Sequence, residues 1–228
     1  MPTHTVRDVA ALLDHAVLKP NFTSADLAAH AAMCVSRGVG CLCVRPADVA
    51  AAVSLVAGSN VVVASVIGFP HGSHRSETKA LESRLAIADG AKELDMVIAI
   101  GPLLAGDESR VRDDIAAVVA EARPHGVLVK VIFETCYLSP AQIATACRLS
   151  EEAGADFVKT STGFGTAGAT PEAVRLMLDT VGGRLGVKAS GGIRTWADAV
   201  MYLDMGCKRL GVGDAATILD GGTVTGSY

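Results

Sequence analysis

The chain has 228 residues, half of them hydrophobic and 19% charged, with a formal net charge of −4. That length suits one α/β barrel domain with a large core, and the lack of a basic block removes the electrostatic footprint of a nucleic-acid binder. Charged or Gly/Pro-containing breaks interrupt every apolar stretch before membrane-spanning length, MPTHTVRDVA has no signal-peptide pattern, and the six cysteines show no CxxC spacing. The expectation is a soluble cytoplasmic protein with reduced thiols, no disulfide framework and no zinc site.

In chain order, the first ten residues are predicted to form a short helix over the barrel bottom. LLDHAVL at 12–18 is the first apolar β-like run, followed by the helical pattern SADLAAHAAMCVSRG. GCLCV at 40–44 leads to RPADVAAAVSLVAG, and NVVVASVIGF at 60–69 to SETKALESRLAIADG. KELDMVIAI at 92–100 precedes ESRVRDDIAAVVAEARPHG, VLVKVIFE at 127–134 precedes SPAQIATACRLSEEAG, and ADFVKTS at 155–161 precedes TPEAVRLMLDTVGG. RLGVKAS at 184–190 and KRLGVG at 208–213 flank TWADAVMYLDMG, and the Gly-rich tail DGGTVTGSY follows a short last helix and is expected to be flexible.

Ser or Thr caps open several helical patterns and glycines close them. Eight strands apolar on both faces, alternating with amphipathic helices, predict a single-domain (β/α)8 barrel over residues 1–228.

Active sites of such barrels gather at the C-terminal strand ends. That filter selects Asp14, Cys43, Asp95, Lys130, Glu134, Lys159 and Lys188, together with the glycine turns after strands six, seven and eight. Glu93, Asp95 and Val97 share one strand face, and Lys159 shares its face with Phe157 and Ser161. An isolated strand lysine is commonly an ion-pair member, here Lys130 with Glu134 or Asp95. Two lysines on adjacent strands, Lys159 and Lys188, have a different use: close ammonium groups depress each other and leave one amine neutral and nucleophilic. The turns TSTGFG, ASGG and GVGD, with Gly163, Gly191, Gly192, Gly211 and Gly213, can present backbone N–H groups to a phosphate. HGSH at 71–74 lacks a third ligand and reads as surface loop, so no metal is expected. Cys41 and Cys43 share a face, with Cys43 nearer the mouth.

These motifs carry a resemblance. LLDHAVLKP, IGFPHG, ELDMVI, LVKVIFET, GADFVKTSTGFG and VKASGGIR resemble the deoxyribose-phosphate aldolases, class I aldolases on a (β/α)8 barrel. The resemblance implies reversible cleavage of 2-deoxy-D-ribose 5-phosphate to acetaldehyde and D-glyceraldehyde 3-phosphate, without metal or organic cofactor. It places the Schiff-base lysine on Lys159, the second catalytic lysine on Lys188 and the acidic proton relay on Asp95. It puts Asp14, Cys43, Phe69 and Lys130 around the substrate and Tyr228 at the place of a C-terminal tyrosine that some members fold into the site. A homodimer is the expected assembly. Where relatives often carry a phosphate-binding serine after strand eight, this chain has Gly213 and Asp214, and an aspartate there repels phosphate unless it turns away or pairs with a cation. Two other readings of the lysines stay open: another lysine-dependent barrel, such as a transaldolase-like transferase or an aldolase for a different aldehyde pair, and a non-catalytic sugar-phosphate-binding barrel.

Overall fold

The structure, a computed structural model, describes residues 4–225. Eight strands, β1 (Leu13–Val17), β2 (Cys41–Val44), β3 (Val62–Ile67), β4 (Glu93–Val97), β5 (Leu128–Ile132), β6 (Phe157–Lys159), β7 (Gly186–Ser190) and β8 (Arg209–Val212), close in sequence order into one parallel barrel. Each predicted apolar run supplies one of them. The helices are α1 (Val6–Leu12), α2 (Ser24–Arg37), α3 (Val49–Leu55), α4 (Ser76–Ala88), α5 (Ile100–Leu104), α6 (Glu108–Ala122), α7 (Pro140–Glu152), α8 (Pro171–Val181), α9 (Trp196–Met205) and α10 (Ala215–Leu219).

Local chemistry sets the boundaries. Thr23 with Asp26, Ser139 with Gln142 and Thr195 with Asp198 form reciprocal capping boxes, each satisfying two orphan donors at a helix start. Gly38, Gly182 and Gly206 end α2, α8 and α9 in the left-handed conformation. Two segments depart from the periodicity. The run ending at Ile100 leaves the sheet after Val97, because Ile100–Leu104 turns into α5; the segment opening with Arg45 splits into a 3-10 turn, Pro46–Asp48, and α3.

The main core lies between the sheet and the helices, where Leu42, Leu94, Met96, Ile115, Phe133 and Val158 are fully buried. Inside the barrel, side-chain alternation divides the lining in two. On the β1–β3 side Ala16, Cys41, Cys43, Ala64 and Val66 form a small apolar cluster against which Phe69 packs. The rest of the lining, from β4 to β8 together with Asp14 of β1, is charged. In HGSH the glycine is the residue the fold requires, since Gly72 has φ 65° and a Cβ there would lie 1.9 Å from the Ile98 carbonyl oxygen, while both histidines are exposed.

One ion pair outside the barrel braces the strand that carries Asp95. Lys79 on α4 and Asp114 on α6 are buried and 2.5 Å apart; the Lys79 ammonium also donates to the carbonyl of Val97, at 2.8 Å, where β4 ends. Removing one partner strands a charge in the interior, a defect that costs roughly 3–5 kcal/mol. Asp114→Ala is therefore expected to lower the unfolding free energy by about that amount in urea titration.

Candidate active site

Register brings the polar strand residues together. In the ladder Asp95 lies beside Lys130, Lys159 beside Lys188, Lys188 beside Arg209, and Asp14 beside Gly211. The Asp95 carboxylate is fully buried and accepts three lysine hydrogen bonds, from Lys130 at 2.8 Å on Oδ1 and from Lys159 and Lys188 at 2.7 Å each on Oδ2. Lys188 also donates to Asp14, and Lys130 to Glu93, with Asp14 3.5 Å away. Arg209 closes the network below, with Nε 2.7 Å from Asp14 and Nη2 2.6 Å from Glu93.

Within this network three carboxylates, Asp14, Glu93 and Asp95, face four basic groups, Lys130, Lys159, Lys188 and Arg209. A buried charge without a counter-charge is expensive, so the cluster is best balanced when one amine is neutral. Lys159 is the least firmly held: among the described residues it pairs with one carboxylate, Asp95, while Lys188 and Arg209 each pair with two and Lys130 with three.

Titration follows that order. Burial lowers the Lys159 amine, Asp95 pulls it back up and Lys188 adds to the depression, so its pKa lies below the usual lysine value. Burial also disfavours charge on Lys188, but Asp14 and Asp95 outweigh it and keep it protonated far above the usual range. Desolvation works against the Asp95 anion too, and Lys130, Lys159 and Lys188 overcome it. Asp14 likewise is held at about 2 by Lys188, Lys130 and Arg209 against the cost of burial.

Asp14 and Lys130, which the resemblance puts around the substrate, have their polar atoms committed to this ion network. Cys43 is buried, and burial pushes its thiol up to about 11, so it contributes a neutral wall beside Lys159. Phe69 meets Phe164 edge to face, ring centres 5.2 Å apart. The pairing of Lys130 with Glu134 does not occur. Glu134 leaves β5 with φ 58°, a left-handed conformation, and its carboxylate accepts from the backbone N–H and hydroxyl of Thr162 in the loop after Lys159. Burial raises the Glu134 carboxyl. Ser161 Oγ, two residues past Lys159, is the only buried side-chain polar atom without a hydrogen-bond partner among the described residues.

At the ends of β1, β7 and β8 lies a cavity of about 250 Å³. Gly192 and Gly213 line it, with Lys19, His30, Arg194 and Asp214. Gly191, at φ 78°, packs on Gly168; Gly163 sits in the loop after β6 with φ 87°. Gly211 is a correction: it belongs to β8, paired with Asp14 and Ser190, and not to a turn. Asp214 turns toward its own helix, capping α10 by accepting from Thr217 N–H at 3.0 Å and the Thr217 hydroxyl at 2.6 Å. The start of the tail is tied down, since Val224 N–H donates to the Arg194 carbonyl at 2.9 Å and Val224 and Thr225 wall the cavity. Tyr228 lies outside the described residues.

Strand-end reasoning missed Glu93 and Arg209, which occupy strand starts, and His30, which comes from an outer helix. Asp14, Cys41 and Glu93 bring three potential metal ligands within 4.8 Å, but both carboxylates already bind lysine or arginine and burial, first of all, holds the Cys41 thiol protonated. Among the described residues no helix is long and apolar enough to cross a membrane.

Comparison with known proteins fits this geometry. The DeoC/LacD family aldolase profile matches residues 9–211. A deoxyribose-phosphate aldolase of Mycolicibacterium paratuberculosis is 52% identical over 224 residues, 96% of this chain and 99% of that one. Another, from Thermococcus gammatolerans, is 48% identical over 216 residues, covering 94% and 96%. Among solved structures, the tetrameric deoxyribose phosphate aldolase from Aeropyrum pernix superposes with a TM-score of 0.88 at 32% identity, over 95% of this chain and 91% of that one.

Proposed function

The chain belongs to the DeoC/LacD aldolase family, and from that membership we propose that Lys159 is its imine-forming amine and that Lys188 and Asp95 move the protons. It is a class I aldolase that reversibly cleaves 2-deoxy-D-ribose 5-phosphate to acetaldehyde and D-glyceraldehyde 3-phosphate. The charge count of the barrel interior carries the residue assignment: three carboxylates against four basic groups, with Lys159 the group held by one carboxylate alone.

In cleavage, neutral Lys159 adds its lone pair to the aldehyde carbon, and loss of water from the carbinolamine gives a protonated imine. A base takes the proton of the C3 hydroxyl, the C2–C3 bond breaks, and its electron pair flows to the iminium nitrogen. D-Glyceraldehyde 3-phosphate leaves, and the enamine of acetaldehyde stays on Lys159. Protonation at C2 and hydrolysis release acetaldehyde and the free amine. Asp95 touches both lysines through one oxygen, a geometry that supports proton exchange between Lys188, a relaying water and the substrate. Asp14, Lys130, Glu93 and Arg209 hold these three groups in place. Cys43 and Phe69 form the apolar side of the substrate cleft, and Gly192 and Gly213 meet the phosphate. The cytoplasm as compartment and a homodimer as assembly belong to the same proposal; the tetrameric relative argues for self-association.

The imine supplies the electron sink, so no metal enters the scheme. Incubation of the purified chain with 2-deoxy-D-ribose 5-phosphate in excess chelator is expected to yield acetaldehyde and D-glyceraldehyde 3-phosphate in equal amounts. Loss of turnover in chelator, restored by added metal, would sink the scheme.

A further inference from the structure

Two histidines that the mechanism does not use form a directed chain ending at the cavity. His15 on β1 is buried, and its Nδ1 accepts the backbone N–H of Ala215 at 3.3 Å. An accepting Nδ1 carries no proton, so His15 is the tautomer protonated on Nε2. That Nε2 is 2.8 Å from His30 Nδ1, which must therefore accept, leaving the His30 proton on its own Nε2. Among the described residues Nε2 of His30 donates to no protein group, and His30 lines the cavity. Its ring is held from two sides, by His15 at 4.8 Å and Phe22 at 5.2 Å between ring centres, and Lys19 lies over Phe22.

Accordingly we infer that His30 is a substrate-binding residue, whose fixed Nε2–H donates to the terminal phosphoryl oxygens of the sugar phosphate in the cavity shared with Gly192, Gly213 and Arg194. The inference rests on the aldolase reading for the identity of the phosphate ester. Its force lies in the direction of the chain. Charging either imidazole would set two N–H groups against each other or break the bond from Ala215, so the pair stays neutral and donor-directed. The surroundings agree: burial, helped by His30, brings His15 down to about 4, and burial together with Lys19 lowers His30 in spite of Asp26 and Asp214. The site thus offers phosphate a hydrogen bond without an added charge, alongside the cations Lys19 and Arg194 at the same cavity.

The test compares steady-state cleavage of 2-deoxyribose 5-phosphate with that of unphosphorylated 2-deoxyribose. A hydrogen bond to a charged group has the size to make His30→Leu raise KM for the phosphate ester about tenfold and lower the phosphorylated-to-free preference in kcat/KM about tenfold, with kcat for the ester little changed. His30→Gln, whose amide nitrogen reaches the place of Nε2, should recover most of that preference. A preference unchanged in His30→Leu, or lost equally in His30→Gln, would overturn the assignment. Should the wild-type chain cleave neither sugar, the aldolase reading itself fails. Equilibrium binding of inorganic phosphate then decides for His30: a loss of about tenfold in His30→Leu supports the donor, and equal affinity overturns it.

Discussion

Lys159→Ala is expected to reduce cleavage of 2-deoxy-D-ribose 5-phosphate by at least about 10⁴-fold, because the imine, and with it the electron sink for the breaking C2–C3 bond, cannot form. The wild-type chain, treated with acetaldehyde and borohydride, should carry one ethyl group, and peptide mass spectrometry should find it on Lys159. Among the described residues the inside of the barrel has three lysines on which the label could fall, and their partners predict its place. Lys130 is enclosed by Asp14, Glu93 and Asp95, and Lys188 by Asp14 and Asp95, so each holds its proton against the cost of burial. Lys159 has Asp95 alone and is lowered. An ethyl group on Lys130 or Lys188, or a Lys159→Ala variant with appreciable turnover, would refute the charge argument along with the assignment. The folded state should survive the substitution, since removing Lys159 leaves three cations facing three carboxylates.

The reach of the sequence is clearest where the barrel's own period decides the matter. Inward-facing polar residues had to converge inside a closed parallel sheet, so Lys159 and Lys188, near the ends of their apolar runs, and Asp95, within its own, were legible from the pattern, and both lysines meet on the Asp95 carboxylate. Glu134 shows the limit. It follows the same alternation as Lys130 on paper, but the chain turns left-handed at that residue and sends the carboxylate to Thr162 on the next loop. Glu93 and Arg209 stand at strand starts, yet both reach the network because side chains long enough to span a layer are not confined to their own level. His15 and His30 belong to a strand and the helix packed outside it, and only the packing brings their nitrogens to 2.8 Å. Asp214 looked hostile to phosphate because a sequence gives no direction to a carboxylate; in the fold it caps α10.

Lys188→Met separates the two jobs given to the second lysine. In the wild type the interior balances with Lys159 neutral. Without Lys188 the remaining cations, Lys130, Arg209 and a protonated Lys159, already match Asp14, Glu93 and Asp95, and Asp95 Oδ2 loses its other ammonium. Both effects favour the charged form of Lys159, whose pKa must rise. A raised amine is nucleophilic only at higher pH, so the acid limb of the kcat/KM profile should move toward alkaline pH, with activity at a fixed pH on that limb falling about tenfold for each unit of the move. Loss of Lys188 as a proton carrier adds a part that pH cannot restore, of the order of 10²-fold or more. The expected profile is therefore both lower and displaced. A profile lowered but not displaced would leave Lys188 with proton transfer only and assign the depression of Lys159 to burial, while an unchanged profile would remove Lys188 from the mechanism. Lys188→Arg provides the contrast: it keeps the positive charge and should hold the acid limb near its wild-type position, although a guanidinium cannot give up its proton to the reaction.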